Sequence, residues 1–319
     1  MKRQRICILG GTGFIGSHLA GRLVRDGAQV ELATRQRERH RDLLVLPTLE
    51  VVDVNIFDDQ ALAEFVDGAD VVINLVGILN ENRKGDFAKI HTDLPKRVAQ
   101  ACADKGVPRY LHMGALNADA ENGSSEYLKS KGAGEAALKA FEDNVAITTF
   151  RPSVIFGRGD SFFNRFSSLL GISPVFLPLA CGQARFAPVY VGDVVEAMVR
   201  SINNKATFGQ SYDLCGPGVY TLAQLVELAN KWGGHGKQII QLNDGFSRLQ
   251  ARVMEFVPGK PFSRDNYNSL KTDAICSKPF PQIFGITPHT LEAVVPGYLG
   301  RGASQQRFDD SRADARHEY

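Results

Sequence analysis

The segment that most constrains this chain is Gly10-Gly11-Thr12-Gly13-Phe14-Ile15-Gly16, set between an apolar run at Arg5–Leu9 and helical spacing over Phe14–Asp26. A strand that ends in such a turn and feeds directly into a helix is the mouth of a dinucleotide-binding unit. One glycine makes the tight turn, one lets backbone approach a pyrophosphate, and one lets helix and strand pack closely. The helix N-terminus then offers free N–H groups and a positive dipole end to the phosphates. Gly10, Thr12, Gly13, Phe14, Ile15 and Gly16 are therefore expected to hold the cofactor.

The rest of the first half repeats this rhythm. Arg5–Leu9, Gln29–Thr34, Leu49–Val54, Asp70–Val76, Tyr110–Met113 and Ala146–Phe150 read as strands. Phe14–Asp26, Asp58–Val66, Phe87–Lys105 and Ser125–Glu142 carry apolar residues at three-to-four spacing and read as helices. Strand–helix alternation at this pitch predicts an α/β protein with a Rossmann-type, doubly wound parallel sheet. After Pro152 the pattern loosens into a smaller, interleaved C-terminal lobe. The expected division is 1–160 for the dinucleotide domain, its sheet completed by segments within 184–215. Residues 161–301 are expected to form a substrate or partner lobe, and the charged stretch 302–319 a disordered tail.

The second question is which dinucleotide. NAD sites place an acid at the end of the second strand, ~20 residues beyond the glycines, to bind the ribose 2′-hydroxyl. Here that end reads Thr34-Arg35-Gln36-Arg37, with no carboxylate at the tip. A guanidinium there suits a 2′-phosphate through a charge-assisted fork, so Arg35 points to NADP(H). Arg37, Arg39 and Arg41 read as a solvated basic loop.

Composition bounds the function classes. Of 319 residues, 44% are hydrophobic and 23% charged, and the net charge is only +2, which implies no pull toward nucleic acid. The seven His never pair at metal-ligand spacing, so no metal is expected. Five scattered Cys without a C-x-x-C pair read as reduced thiols. No apolar stretch is long enough to span a bilayer. The chain is expected in the cytoplasm.

Tyr127 and Lys131 form Y-x-x-x-K on the helix after the fifth strand, one turn apart and on one face. An ammonium beside a phenol lowers its pKa and prepares it to exchange a proton with a carbonyl or hydroxyl. With the glycine loop, Asn74–Leu79 (NLVGIL) and Arg151–Gly157 (RPSVIFG), this pair resembles the short-chain dehydrogenase/reductase superfamily, in its extended, epimerase/dehydratase-like branch. That resemblance implies adenine contacts from Asn55 and Ile56. It also implies cofactor contacts from Val76, Gly77, Ile78 and Lys131, with Pro152 and Val154 near the nicotinamide.

Longer blocks are similar to a narrower family. HMGALNAD, YLKSKGAGE, RPSVIFGRGDSFFNRF, ARFAPVYVGDV and MEFVPGKPFSRDN resemble the NADPH-binding accessory subunit of respiratory complex I and its bacterial relatives, some implicated in ubiquinone biosynthesis. The resemblance implies a quinone-type or other small carbonyl substrate, or a respiratory-complex partner, and a place peripheral to the inner membrane. One position departs from the superfamily. Gly114 stands at the end of the fifth strand, where active members carry a Ser or Thr that polarises the substrate oxygen. Three readings stay open: an NADPH-dependent oxidoreductase, a non-catalytic NADPH-binding subunit, and a nucleotide-sugar epimerase or dehydratase. Outside the motifs, Arg158 and Asp160 line a cleft or tie a loop. Leu169–Ala180 either caps the site or docks on a partner or membrane.

Overall fold

A computed structural model describes residues 3–40, 43–257 and 260–299, and the expected tail at 302–319 lies outside the described residues, as does Arg41. Two compact units result. The first takes in the chain up to Pro152, then 192–214 and 281–286, and the second takes in 153–191, 215–280 and the described residues from 287.

The first unit opens with β1 (Arg5–Leu9), α1 (Phe14–Arg25), β2 (Gln29–Thr34), β3 (Leu49–Asp53) and α2 (Asp59–Val66). It continues with β4 (Val71–Asn74), α3 (Leu94–Asp104), β5 (Arg109–Met113), α4 (Glu126–Leu138) and β6 (Ala146–Pro152). The second unit begins with β7 (Ile155–Phe156), α5 (Phe162–Ile172), β8 (Phe176–Leu179), β9 (Arg185–Phe186) and β10 (Val189–Tyr190). Helix α6 (Val191–Ser201) and β11 (Gln210–Leu214) return to the first unit. Then β12 (Tyr220–Thr221), α7 (Leu222–Gly233), β13 (Gln238–Gln241), α8 (Asp244–Met254), α9 (Arg264–Ser269) and α10 (Leu291–Leu299) complete the second.

The sheet of the first unit has seven strands in the order β11-β6-β5-β4-β1-β2-β3, every pair parallel. The strands are near-continuous apolar runs because both faces are covered: Ile6, Cys7, Ile8 and Leu9 are buried, as are Val71, Val72 and Ile73. Helix α1 buries Leu19, Ala20, Leu23 and Val24, the spacing that marked it in the sequence. Chain order reverses direction at β1 and β4, which pair as Leu9↔Asn74. In sheets of this kind the ligand crevice opens outside the strand C-termini at that switch point.

The stretch Phe87–Lys105 was expected as one helix and divides in two. Ala88–Asp93 is a π-helical turn, and α3 starts anew with Pro95 in its first turn. Proline has no N–H to continue the preceding ladder, which is why the turn widens there. Gly134 of α4 then lets backbone meet backbone: a Cβ at that position would lie 1.8 Å from the His91 carbonyl oxygen.

The second unit has its own core of Phe156, Phe163, Leu170, Leu225, Val226 and Val295. Asp160 ties a loop in it, accepting from Gly157 N (3.0 Å) and Phe163 N (2.7 Å) and from the Tyr298 hydroxyl (2.5 Å). In the expected apolar segment, Leu170 and Leu179 are buried while Ile172, Val175 and Phe176 are exposed. The expectation of five reduced thiols is corrected here. Cys215 and Cys276 form a disulfide across 61 residues, and Cys7, Cys102 and Cys181 remain free. Sequence spacing hid the pair because Cys215 directly follows β11 while Cys276 lies in the segment after α9.

Candidate functional site

The loop after β1 is built as a cradle. Gly10 has φ +76° and its carbonyl accepts Gly13 N at 3.1 Å, closing the turn. A Cβ on Gly10 would sit 3.0 Å from the backbone of Leu75 and Val76, and one on Gly16 would sit 2.5 Å from Gly11. Gly13 caps α1 with no side-chain hydrogen bond, and the first helical turn holds no acid, whereas Arg22 and Arg25 lie in the last turn. Such an end presents backbone donors and a positive dipole without an internal anion to compete, which fits a pyrophosphate. Thr12, Phe14 and Ile15 are half-buried around it.

At the next strand ends, Arg35 directly follows β2 and is exposed, while Arg37 N–H donates to Asp53 Oδ1 at 2.9 Å. Asn55 follows β3 and bends the chain by accepting Phe57 N at 3.2 Å, and Ile56 packs on the core of the sheet. After β4, Val76 N–H donates to Asn74 Oδ1 at 3.0 Å. Gly77 is exposed, and a Cβ there would lie 3.4 Å from Lys131 Nζ and 3.7 Å from His91 Nε2. Pro152 ends β6, its carbonyl accepting Leu116 N at 3.1 Å. Val154 belongs to the second unit. Apart from Val154, the sequence-selected cofactor residues therefore gather at the C-terminal ends of one parallel sheet or on the helix that follows β5.

Tyr127 and Lys131 both lie on α4, which Ser125 starts by accepting Leu128 N at 3.2 Å. Lys131 is buried, and its ammonium donates to the Met113 carbonyl at 3.0 Å. Burial lowers it to about 8. Among the described residues no carboxylate pairs with it. The phenol of Tyr127 moves the other way from the sequence expectation: burial pushes it up to about 12. The desolvation cost of a phenolate outweighs any help from the neighbouring ammonium in this arrangement.

His91, which the sequence did not single out, organises this site. Its Nε2 accepts the Ile78 N–H at 3.1 Å, so its proton sits on Nδ1, 2.9 Å from Ser130 Oγ. Ser130 Oγ in turn donates to the Tyr127 carbonyl at 2.8 Å. The His91 ring meets the Tyr127 ring edge-on at 5.3 Å and stacks on Phe87 at 5.4 Å. Burial and the charge of Lys131 lower His91 to about 3, so it is neutral. The loop after β4 and the start of α4 are thus held by one imidazole. The π-helical turn carries it, and Gly134 lets its backbone lie directly against α4.

Gly114 is buried and tightly enclosed: a Cβ would lie 3.1 Å from Thr149 Cγ2 and 3.4 Å from the Phe150 carbonyl oxygen. Close by, His112 Nε2 is a buried nitrogen with no hydrogen-bond partner among the described residues, and burial holds its ring well below the usual histidine range. Among the described residues no cluster of His, Cys, Asp or Glu could hold a metal ion, and no helix is long and apolar enough to cross a membrane.

The profile of the NAD dependent epimerase/dehydratase family matches residues 6–215. A protein of Mus musculus named NADH dehydrogenase (ubiquinone) 1 alpha subcomplex subunit 9, mitochondrial, is 33% identical over 225 residues, covering 69% of this chain and 59% of its own length. The protein of that name in Arabidopsis thaliana is 28% identical over 310 residues, covering 92% of this chain and 76% of its own. A protein of Caulobacter vibrioides named ceramide reductase is 32% identical over 200 residues, covering 62% and 60%. In fold, the chain is similar to UDP-glucuronic acid 4-epimerase from Bacillus cereus, solved with UDP-glucuronic acid and NAD. That match has a TM-score of 0.65 at 16% identity and covers 84% of this chain and 99% of that one.

Proposed function

Because the chain belongs to the NAD dependent epimerase/dehydratase family, we propose that it binds NADP(H) on its first unit and reduces a carbonyl on an apolar, quinone-type or lipid molecule. The observation that carries this reading is Lys131, an ammonium buried with no carboxylate partner among the described residues and next to Gly77 in the loop after β4. Burying a charge without an opposing one costs stability, and such groups concentrate at functional sites.

In this reading the Gly10–Gly16 loop holds the pyrophosphate and Arg35 the 2′-phosphate. Asn55 and Ile56 flank the adenine, and Val76, Gly77, Ile78 and Pro152 line the remainder. The bound nicotinamide supplies the hydride. Tyr127, held protonated by its raised pKa, gives its proton to the carbonyl oxygen. Lys131 donates to the cofactor and opposes the negative charge that develops on the phenol. His91 carries no charge and keeps Ile78 and Ser130 at fixed separation. The relatives named as a ubiquinone-linked dehydrogenase subunit and as a ceramide reductase support an apolar substrate and a respiratory-chain or membrane-peripheral setting.

Gly114 favours a second reading, a non-catalytic NADPH-binding subunit of a respiratory complex, since it offers no hydroxyl to the reacting oxygen. The two separate on one assay, NADPH oxidation with a detergent-dispersed lipid ketone and a short-chain quinone. The oxidoreductase reading expects slow turnover that Tyr127→Phe abolishes while NADPH affinity stays. Tight NADPH binding with no oxidation of either compound would move the conclusion to the second reading.

A further inference from the structure

Helix α8 in the second unit is inside out. Its buried positions are Ser247 and Ala251, while Phe246, Leu249 and Val253 are each more than half exposed. Phe256, just beyond the helix, is 89% exposed. Spacing of three and four places Phe246, Leu249 and Val253 on one face of the helix, and Phe256 follows three residues further on. A surface helix ordinarily turns its apolar stripe toward the core. Here the stripe faces out, and Gln250 on its flank fastens the helix to β8 through the Pro178 carbonyl at 3.1 Å.

Beside the stripe is a cavity of about 400 Å³ whose lining includes Leu249, Arg248, Arg252, Arg264 and Lys271. Arg248 pairs with Asp244 at 2.6 Å and Arg264 with Glu255 at 2.9 Å. Arg252 and Lys271 form no ion pair among the described residues, and the Lys271 ammonium lies 4.9 Å from the centre of the Tyr267 ring. Four cations therefore line the cavity beside the apolar face, and two of them are paired with a carboxylate.

We propose that α8 and these cations dock the second unit on an anionic lipid bilayer. The apolar stripe enters at the acyl boundary and the cations meet the phosphate level. Charge complementarity selects this occupant. A second copy of the chain, related by a two-fold axis, would bring the same basic patch against itself. The proposal gives the membrane-peripheral setting named above a specific surface. Its test is read without cofactor, so either idea can fail alone.

The test is cosedimentation of the full chain with vesicles of phosphatidylcholine mixed with phosphatidylglycerol, against phosphatidylcholine alone. The chain is expected to sediment with the mixed vesicles only, and less so as salt rises. Phe246→Ser with Leu249→Ser and Phe256→Ser should lower the partition about ten-fold or more, from the loss of buried apolar area. Arg252→Gln and Lys271→Gln should each cost about five-fold, the equivalent of ~1 kcal/mol per cation near such a surface. All five positions can be changed with the fold monitored by thermal melting, and the charge variants provide a second arm if the triple variant folds poorly. Equal recovery with both vesicle types would overturn the proposal, as would binding indifferent to both sets of variants. A concentration-dependent dimer abolished by the triple variant, without vesicle binding, would overturn it in favour of a contact between copies.

Discussion

The ammonium of Lys131 lies 3.0 Å from the carbonyl oxygen of Met113, where β5 ends. A carbonyl is a weak partner for a buried cation, and desolvation draws the lysine from 10.5 to about 8. In the proposed reading, Lys131 is a site where stability is given up for chemistry.

The sign of its pH dependence follows. Between about 8 and 10.5 the unfolded lysine keeps its proton while the folded one has lost it, so the unfolded chain binds more protons. The penalty from Lys131 is full below 8 and is relieved as pH rises through that window. Lys131→Met should therefore be at least as stable as wild type at neutral pH, and the difference should shrink toward pH 10. Urea midpoints of both proteins across pH 7–10 check this. A variant less stable at neutral pH by several kcal/mol would mean that Lys131 is a structural anchor.

His91 works in the acid range. Its folded value of about 3 lies below 6.5, so the unfolded chain binds the extra proton between them. Its contribution is intact above 6.5 and is lost as pH falls toward 3. Comparing wild type with His91→Asn, the stability gap should narrow as pH drops through that window. Chemical denaturation at a series of acid pH values measures it, and a gap independent of pH would remove His91 from the account.

Much of the fold was legible because local and global preferences agree in the first unit. Arg5–Leu9 and Gln29–Thr34 form strands with the expected bounds. Asp58 and Ser125 mark helix starts by capping them. Helix α8 falls outside the expected elements although Asn243 caps it and Phe246, Leu249 and Val253 have helical spacing. Its apolar face points outward, so it belongs to no core pattern that a reader would extend. His91 was invisible for another reason: a lone histidine acquires meaning only from Ile78 and Ser130, 13 and 39 residues away. The pairing of Cys215 with Cys276 is likewise a product of topology.

That disulfide predicts a thiol count. Without reductant, alkylation of the unfolded chain should label Cys7, Cys102 and Cys181 only, and after reduction all five cysteines. Closing a loop with a 61-residue separation is worth roughly 4 kcal/mol in the chain-entropy model. Reduction should accordingly lower the melting temperature of the second unit. Mass spectrometry of the alkylated chain decides the count, and five labelled cysteines without reductant would contradict the bond.

Gly114 predicts a gain of function with a steric cost. A hydroxyl donor at the reacting oxygen is worth ~10²–10³ in rate. Gly114→Ser is expected to raise NADPH oxidation with a simple ketone, provided Tyr127 is present, while lowering stability as Thr149 Cγ2 gives way from 3.1 Å. Steady-state kinetics with and without Tyr127→Phe separate the two effects. Turnover in Gly114→Ser that survives Tyr127→Phe would assign the proton to another group, with buried His112 the first to examine.

The central claim is an NADP(H) site formed by the glycine loop and Arg35, and calorimetric titration of the wild-type chain with NADPH and NADH tests it most directly. The account predicts that NADPH binds more tightly. Arg35→Ala should weaken NADPH binding by roughly 1.5–3 kcal/mol, the range for a hydrogen bond to a charged group, and leave NADH nearly unchanged. Tighter binding of NADH, or NADPH affinity indifferent to Arg35→Ala, would contradict it.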